Sequence, residues 1–197
     1  MKEAIVVLDA QQIYTNKESD LYCGEAEKTI ARINNLIEHS LSQSRLIVLV
    51  RHIHKLDGSD LGRLFDFSGE AEDDFNFKEG SEEVEFDRNL IRPKGAVELK
   101  KTRYSAFAGT NLDVILRQHK ISKVIICGFM TNFCCESTAR DALDRDFYVD
   151  FVIDATGTPG TDKYNQRQVR EIVSELLGAG IARILKTKEL LSQSKEG

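Results

Sequence analysis

The sequence lacks the features that mark several broad functional classes. It contains no run of Lys and Arg, and its formal net charge is −5, which argues against nucleic acid as its main partner. Its first apolar run, residues 4–8, ends at Asp9 and is too short for a signal-peptide core or a membrane span. We therefore expect a cytoplasmic protein that binds neither nucleic acid nor a membrane.

Cysteine is scarce, and its spacing does not resemble the disulfide framework of a small secreted protein. There are four cysteines. In a reducing compartment they are thiols, so burial or catalysis has to account for them. Cys127 lies inside an apolar run and is predicted to be a core residue, whereas Cys134 and Cys135 lie just beyond that run.

The common nucleotide and serine-hydrolase motifs are also absent. No G-x-G-x-x-G follows the first predicted strand, and neither G-x-x-x-x-G-K-[ST] nor G-x-S-x-G occurs in the chain. Dinucleotide-binding, P-loop and serine-hydrolase functions therefore lose their main sequence support. We expect no cofactor.

Apolar segments that are predicted as buried strands alternate with amphipathic helical patterns. At 197 residues the chain is long enough for one domain with a large core, predicted as 1–197. The alternation predicts an α/β fold, in three α-β-α layers, with a doubly wound, mostly parallel six-stranded sheet. The predicted strands are 3–9, 46–50, 96–99, 123–127, 147–153 and 181–185.

Residues 57–92, here called the acidic Phe-rich segment, interrupt this alternation. The segment carries many Asp and Glu, and it holds half of the ten Phe of the chain. A solvated loop would explain the charges but not the aromatic residues, so we favour a structured lid, binding wall or oligomer contact. The five aromatic residues are Phe65, Phe67, Phe75, Phe77 and Phe86.

Polar side chains follow four of the predicted strands. They are Asp9, then His52 and His54, then Lys101, and finally Cys134. Because the carboxyl ends of parallel strands meet at one edge of a sheet, these groups are expected to converge. A Cys at a helix N-terminus near a Lys is expected to have a lowered pKa, and a nearby carboxylate can transfer protons. The pattern suggests covalent catalysis by a thiol.

These residues carry a resemblance to a known family. Asp9, the stretch 101–107 (KTRYSAF) and the stretch 128–142 (GFMTNFCCESTARDA) resemble the isochorismatase-like cysteine hydrolases. That superfamily includes nicotinamidases, N-carbamoylsarcosine amidohydrolases and ureidoacrylate-type amidohydrolases. The resemblance runs from residue 4 to about 185, and it implies the isochorismatase-like form of the predicted fold.

The resemblance implies a catalytic triad of Asp9, Lys101 and Cys134. Cys134 would attack the carbonyl carbon of a small amide, carbamoyl or ureido substrate, and water would hydrolyse the thioester. Asp9 would act as base and then as acid, while Lys101 would hold the thiolate and orient Asp9. Lys100 is the alternative lysine, but the family places its lysine two residues before the Arg-Tyr-Ser run, which favours Lys101.

The resemblance also implies an oxyanion site and a substrate pocket. A cis peptide is expected between Phe129 and Met130, with the N–H groups of Met130 and Cys134 facing the oxyanion. After Asp9 the first motif departs from the family pattern Asp-Met-Gln-Asn-Asp-Phe, although one Gln is kept. The expected substrate-binding residues are Gln11, Tyr14, His54, Tyr104 and Phe133.

Nicotinamidases of this superfamily bind a divalent metal through an Asp-x-His pair and a further His. In this chain His52, His54 and Asp60 stand at those three positions. A metal bound by these three residues is one alternative. We favour the other, in which no metal binds and the histidines line the pocket or stabilise the structure.

Three other functions stay open. The chain could be a catalytically silent family member that binds ligands or forms oligomers, although the intact triad argues against silence. It could hydrolyse a vinyl ether of the isochorismate type, but members with that activity lack the cysteine. Cys134 and Cys135 could form a redox disulfide, although Cys135 fits better as a small core residue. By analogy with the family, we expect a homo-oligomer, either a dimer or a tetramer.

Overall fold

The protein forms one six-stranded parallel sheet between layers of helices, in a computed structural model that describes residues 1–64 and 75–193. This confirms the predicted α/β fold class. The strands are β1 (Glu3–Leu8), β2 (Leu46–His52), β3 (Val97–Lys101), β4 (Lys123–Phe129), β5 (Tyr148–Gly157) and β6 (Arg183–Leu185). The helices are α1 (Gln12–Thr15), α2 (Ala26–Ser42), α3 (Leu112–Gln118), α4 (Glu136–Leu143), α5 (Gln166–Gly178) and α6 (Thr187–Leu191).

The central strands are apolar on both faces because both faces are covered. In β1, Ile5 and Val7 belong to one buried cluster, while Val6 and Leu8 belong to the other. Helix α2 packs on the first cluster, and α3, α4 and α5 pack on the second. Each fully buried aliphatic side chain contributes roughly 1.5–3 kcal/mol to stability. Among the described helices, none is both long and apolar enough to cross a membrane.

The strand order β3-β2-β1-β4-β5-β6 reverses direction between β1 and β4. In open parallel sheets, ligands bind beyond the carboxyl ends of the strands at such a reversal. The two strands approach closely there: a Cβ on Gly128, whose φ is +122°, would lie 1.9 Å from the Leu8 carbonyl oxygen. Glycine at this position therefore allows β1 and β4 to approach each other closely beneath the crevice. The crevice holds the candidate site.

The chain after β4 does not enter a regular α-helix directly. The chain first makes a π-helical turn, Thr131–Cys135, in which the Cys135 N–H donates to the Met130 carbonyl (3.1 Å), and α4 begins only at Glu136. The wider turn directs Cys135 into the core while Cys134 lies at the crevice. π-helical turns are rare and are common at functional sites.

The described part of the acidic Phe-rich segment is structured and packs against the carboxyl edge of the sheet. Phe77 and Phe86 are buried. His54 forms a parallel bridge with Lys78, and Gln11 forms an antiparallel bridge with Phe86. The described part is therefore structured, as expected, and it packs beside the crevice. Phe65 and Phe67 lie outside the described residues.

Candidate active site

Three predicted residues meet in the crevice between β1 and β4. Lys101 Nζ lies 2.8 Å from Asp9 Oδ2 and donates to Cys134 Sγ at 3.2 Å. Lys101 Nζ also donates to the Arg103 carbonyl oxygen at 3.0 Å. All three side chains of the cluster are buried, with at most 2% of any of these residues exposed. A carboxyl group, an ammonium group and a thiol are thus in contact and shielded from solvent.

The backbone places each group by a simple local device. Asp9 directly follows β1 with a left-handed φ of +48°, a conformation that Asp adopts more readily than most residues. Lys101 is the last residue of β3, and strand alternation directs its side chain opposite to that of Lys100. Lys100 instead pairs with Glu79 at the surface, at 2.9 Å. The choice of Lys101 over Lys100 therefore agrees with the geometry.

Burial dominates the electrostatics of the cluster. Burial raises the pKa of Asp9, and the Lys101 ammonium only partly opposes that rise. Burial also raises the pKa of the Cys134 thiol to about 12, again against the attraction of Lys101. The predicted lowering of the Cys134 pKa is therefore wrong, because desolvation of the thiolate outweighs the neighbouring ammonium. Burial disfavours the Lys101 ammonium, but Asp9 and Cys134 raise its pKa overall.

The peptide bond between Phe129 and Met130 is cis, as the resemblance implies. The Tyr14 ring stacks on the Phe129 ring, with centroids 5.5 Å apart and planes at 7°, and it also contacts Phe77 at 6.0 Å. Tyr14 is buried, and burial holds the pKa of its hydroxyl well above the usual range. Tyr14, predicted to bind substrate, thus packs beneath the end of β4.

Gln11, also predicted to bind substrate, has its side chain fully used by the backbone. Its Nε2 donates to the carbonyl oxygens of His52 (3.0 Å) and Val84 (2.8 Å), and its Oε1 accepts the His52 N–H (2.8 Å). Both amide hydrogens are consumed. Gln11 is therefore a structural link between β2 and the acidic Phe-rich segment, which corrects the prediction.

The three residues of the alternative metal site form a line rather than a convergent group. His52 Nε2 lies 2.9 Å from His54 Nε2, and His54 Nδ1 lies 3.2 Å from Asp60 Oδ1. Because Asp60 and His52 contact opposite ring nitrogens of His54, their atoms do not surround one point. Both ring nitrogens of His54 are engaged and the residue is buried. The prediction that His54 contacts the substrate is therefore corrected.

Within the described residues, ligand-type atoms of Asp9, His52 and Cys134 lie within 4.8 Å of one another. The Lys101 ammonium already contacts two members of this group, so a metal cation bound there would lie close to a buried positive charge. The donor set therefore suits an internal ammonium better than a metal. The sequence placed His52 at the correct edge of the sheet, but did not predict how close it lies to the thiol.

An aromatic pair stands beside the thiol. The rings of Tyr104 and Phe133 lie 5.1 Å apart at 50°, with Tyr104 half-buried and Phe133 37% exposed. Burial and then the proximity of Cys134 raise the pKa of the Tyr104 hydroxyl. These two predicted pocket residues are therefore the ones that combine access to solvent with closeness to the cluster.

Two hydrogen bonds fasten the loop after β3 to α4. Ser105 Oγ donates to Asp141 Oδ2 (2.7 Å), and the Ala106 N–H donates to Thr138 Oγ1 (3.0 Å). These positioning contacts were not predicted from the sequence. Their signal was the pair of polar residues Thr138 and Asp141, which are three apart and so share one face of α4.

All four cysteines fall within the described residues, and all are free thiols. Cys135 is fully buried among apolar residues of the second core cluster. Burial, and then the neighbouring Cys134, raise its pKa well above the usual range. Its environment is that of the small core residue favoured by the sequence.

Comparisons with known proteins agree with this geometry. A family model described as the isochorismatase domain matches residues 3–180. The uncharacterized isochorismatase family protein PncA of Bacillus subtilis is 28% identical over 157 residues, which cover 76% of this chain and 82% of that protein. The ureidoacrylate amidohydrolase RutB of Agrobacterium fabrum is 37% identical over 78 residues, but these cover only 40% of this chain and 34% of that protein.

A solved structure extends the likeness to the whole fold. The crystal structure of a cysteine hydrolase from Pseudomonas syringae pv. phaseolicola superposes with a TM-score of 0.89 at 26% identity, covering 96% of this chain and 91% of that chain. Since the family model also matches most of the sequence, the chain belongs to the isochorismatase family and is a hydrolase of that family.

Proposed function

We propose that this protein is a cysteine hydrolase that cleaves the C–N bond of a small amide, carbamoyl or ureido compound through a thioester on Cys134. The observation that carries the proposal is the buried Lys101 ammonium, 2.8 Å from Asp9 and 3.2 Å from Cys134. The similarity to a cysteine hydrolase and to a ureidoacrylate amidohydrolase supports the same class of reaction.

The first half of the reaction forms the thioester. Because burial keeps Cys134 protonated at neutral pH, Asp9 takes the thiol proton as Sγ attacks the carbonyl carbon. Because the pKa of Asp9 is raised, the difference in pKa between the Asp9 carboxyl and the Cys134 thiol is smaller, which favours this proton transfer. When the tetrahedral intermediate collapses, the C–N bond breaks and Asp9 returns the proton to the departing nitrogen.

The second half regenerates the thiol. Asp9 takes a proton from a water molecule as its oxygen attacks the thioester carbon. The C–S bond then breaks, and the proton returns from Asp9 to the sulfur. Throughout, the Lys101 ammonium compensates the negative charge that alternates between Asp9 and Cys134. A charge that is already fixed in a buried site does not have to reorganise during the reaction. Such preorganisation is the usual source of large electrostatic effects in catalysis.

Two backbone groups complete the proposed site. In this proposal the N–H groups of Met130 and Cys134 stabilise the oxyanion. A single such donor is typically worth about 10²–10³ in kcat. Tyr104 and Phe133 form the substrate wall and favour a compact planar group beside the thiol.

The proposal is tested by ammonia release from a panel of small amides, carbamoyl and ureido compounds. The wild type should turn over at least one compound, Cys134→Ala should lose at least about 10³-fold in kcat, and the matched control Cys135→Ala should stay close to wild type. Turnover that survives in Cys134→Ala contradicts the nucleophile assignment. Loss in Cys135→Ala with an intact fold instead favours the redox alternative.

A further inference from the structure

A line of side chains, hydrogen-bonded from Asp60 to His52, runs from the loop after β2 towards the reacting cluster. Asp60 Oδ1 contacts His54 Nδ1 at 3.2 Å, and His54 Nε2 contacts His52 Nε2 at 2.9 Å. A ring nitrogen of His52 then lies within 4.8 Å of both an Asp9 carboxylate oxygen and Cys134 Sγ. Both histidines are buried, and the mechanism above uses neither of them.

The outer end of this line is anchored. The Asp60 carboxylate accepts the Lys55 N–H at 3.1 and 3.2 Å, and the Asp60 carbonyl oxygen accepts from Arg103 Nη1 at 2.8 Å. Gly62, with φ +64°, lets the guanidinium lie against this loop, since a Cβ there would be 2.2 Å from Arg103 Nη2. The loop that carries Asp60 is thus held in place by the same stretch that supplies Lys101.

The inner end is held as well. The His52 ring stacks on Phe77, with centroids 4.6 Å apart and planes at 14°, and the Gln11 side chain holds the His52 backbone on both sides. The ring is therefore confined between Phe77 and His54. Because His52 Nε2 is engaged by His54, Nδ1 is the ring nitrogen left for the cluster.

The contacts determine which nitrogens carry hydrogen. Asp60 Oδ1 accepts the Lys55 N–H, and a carboxylate oxygen has no hydrogen to donate. It therefore accepts from His54 as well, which places hydrogen on His54 Nδ1. Burial lowers the pKa of both histidines, and Lys101 lowers that of His52 further, which favours the neutral form of both rings. His54 Nε2 is then an acceptor, His52 Nε2 carries hydrogen, and His52 Nδ1 keeps a lone pair.

We propose that Asp60, acting through His54, fixes His52 with an acceptor Nδ1 at the reacting cluster, and that this nitrogen accepts an N–H of the substrate's scissile nitrogen. The second half of this statement rests on the proposed function. Lys101 and the backbone N–H groups are donors, so an unsubstituted NH₂ needs an acceptor besides Asp9. The site would therefore favour primary carboxamides and terminal carbamoyl groups over their N-alkyl analogues, with Asp60 and His54 as positioning residues.

The first test needs no substrate. Long-range ¹H–¹⁵N spectra of the histidine rings report which nitrogen carries hydrogen, and His52→Asn and His54→Asn assign the signals. The wild type and the matched control Asp57→Asn, an exposed residue of the same loop, should show hydrogen on His52 Nε2 and His54 Nδ1. In Asp60→Asn, whose amide can donate to His54, this pattern should change. Hydrogen on His52 Nδ1 in the wild type, or an unchanged pattern in Asp60→Asn, overturns the proposal.

The second test compares an active primary amide with its N-methyl analogue. His52→Leu should lose about tenfold or more in kcat/KM for the primary amide and much less for the analogue, so that selectivity falls. His52→Asn, which places an amide oxygen near the Nδ1 position, should keep more selectivity than His52→Gln. Equal losses for both substrates in His52→Leu, or equal selectivity in His52→Asn and His52→Gln, overturn the substrate contact. The outcome for Cys134→Ala bears only on the proposed function, so the two failures are distinguishable.

Discussion

Replacing Lys101 by Met should destabilise the protein in a pH-dependent manner. The ammonium and the Asp9 carboxylate are 2.8 Å apart and both fully buried. At an effective dielectric constant of about 20, two unit charges at that distance attract by about 6 kcal/mol. Breaking such a pair by removing one partner typically costs about 3–5 kcal/mol, because the remaining charge is buried without compensation.

The cost depends on whether Asp9 stays ionised. Burial already raises its pKa, and removal of the ammonium, which opposes that rise, raises it further. A carboxyl whose pKa is higher in the folded state favours folding below its unfolded pKa, and this contribution is lost as pH rises through the folded pKa. Lys101→Met should therefore lose about 3–5 kcal/mol at pH 8 and less than about half of that at pH 5.

The assay is chemical unfolding at pH 5 and pH 8, with the exposed neighbour in Lys100→Met as the matched control. The control should change by less than about 1 kcal/mol at either pH. Adding Asp9→Asn to Lys101→Met should remove most of the pH dependence. If Lys101→Met is as stable as Lys100→Met at pH 8, or equally destabilised at both pH values, the account of a charged buried pair is refuted.

Three other predictions concern Asp9, Gly128 and Gln11. The pKa of Asp9 is raised and that of Cys134 is about 12, so Asp9 must lose its proton before it can act as base. On the acid side, kcat/KM should therefore rise with pH at values above the usual carboxyl range. A rise within the usual carboxyl range contradicts the base role. Gly128→Ala should lower Tm strongly or prevent folding, because its Cβ would overlap the backbone of β1, whereas Gly180→Ala, with open space around it, should shift Tm little. Gln11→Leu should cost about 1–3 kcal/mol per unpaired buried carbonyl in chemical unfolding, and retained stability contradicts its structural role.

The strands and the doubly wound class of the sheet were predictable because they depend on short-range pattern. Apolar β-branched runs separated by amphipathic helices allow few folds other than a doubly wound sheet. That fold brings strand ends together, so Asp9, Lys101 and Cys134 could be grouped from the sequence before any distance was known. The family spacing selected Lys101 over Lys100, and the strand alternation found in β3 agrees with that choice.

Other properties of the site depend on contacts between distant residues. The Cys134 pKa was predicted in the wrong direction because local sequence reveals the neighbouring charge but not the depth of burial. The family resemblance assigned Gln11 to substrate. Its structural partner Val84 could not be predicted, because Val84 lies 73 positions away in a segment without periodicity. The line from Asp60 to His52 could not be predicted for the same reason. Residue spacing indicates that these side chains are near one another, but not which ring nitrogens make the contacts.

Trapping the covalent intermediate would show whether Cys134 is the nucleophile. The wild type would be mixed with an active amide substrate, quenched in acid during turnover, and its intact mass and fragmented peptides measured. We predict an increase in mass equal to that of the acyl group, carried on Cys134 and not on the adjacent Cys135, and absent in Cys134→Ala. An unmodified protein during acyl-limited turnover, or an acyl group on Cys135, would contradict this prediction.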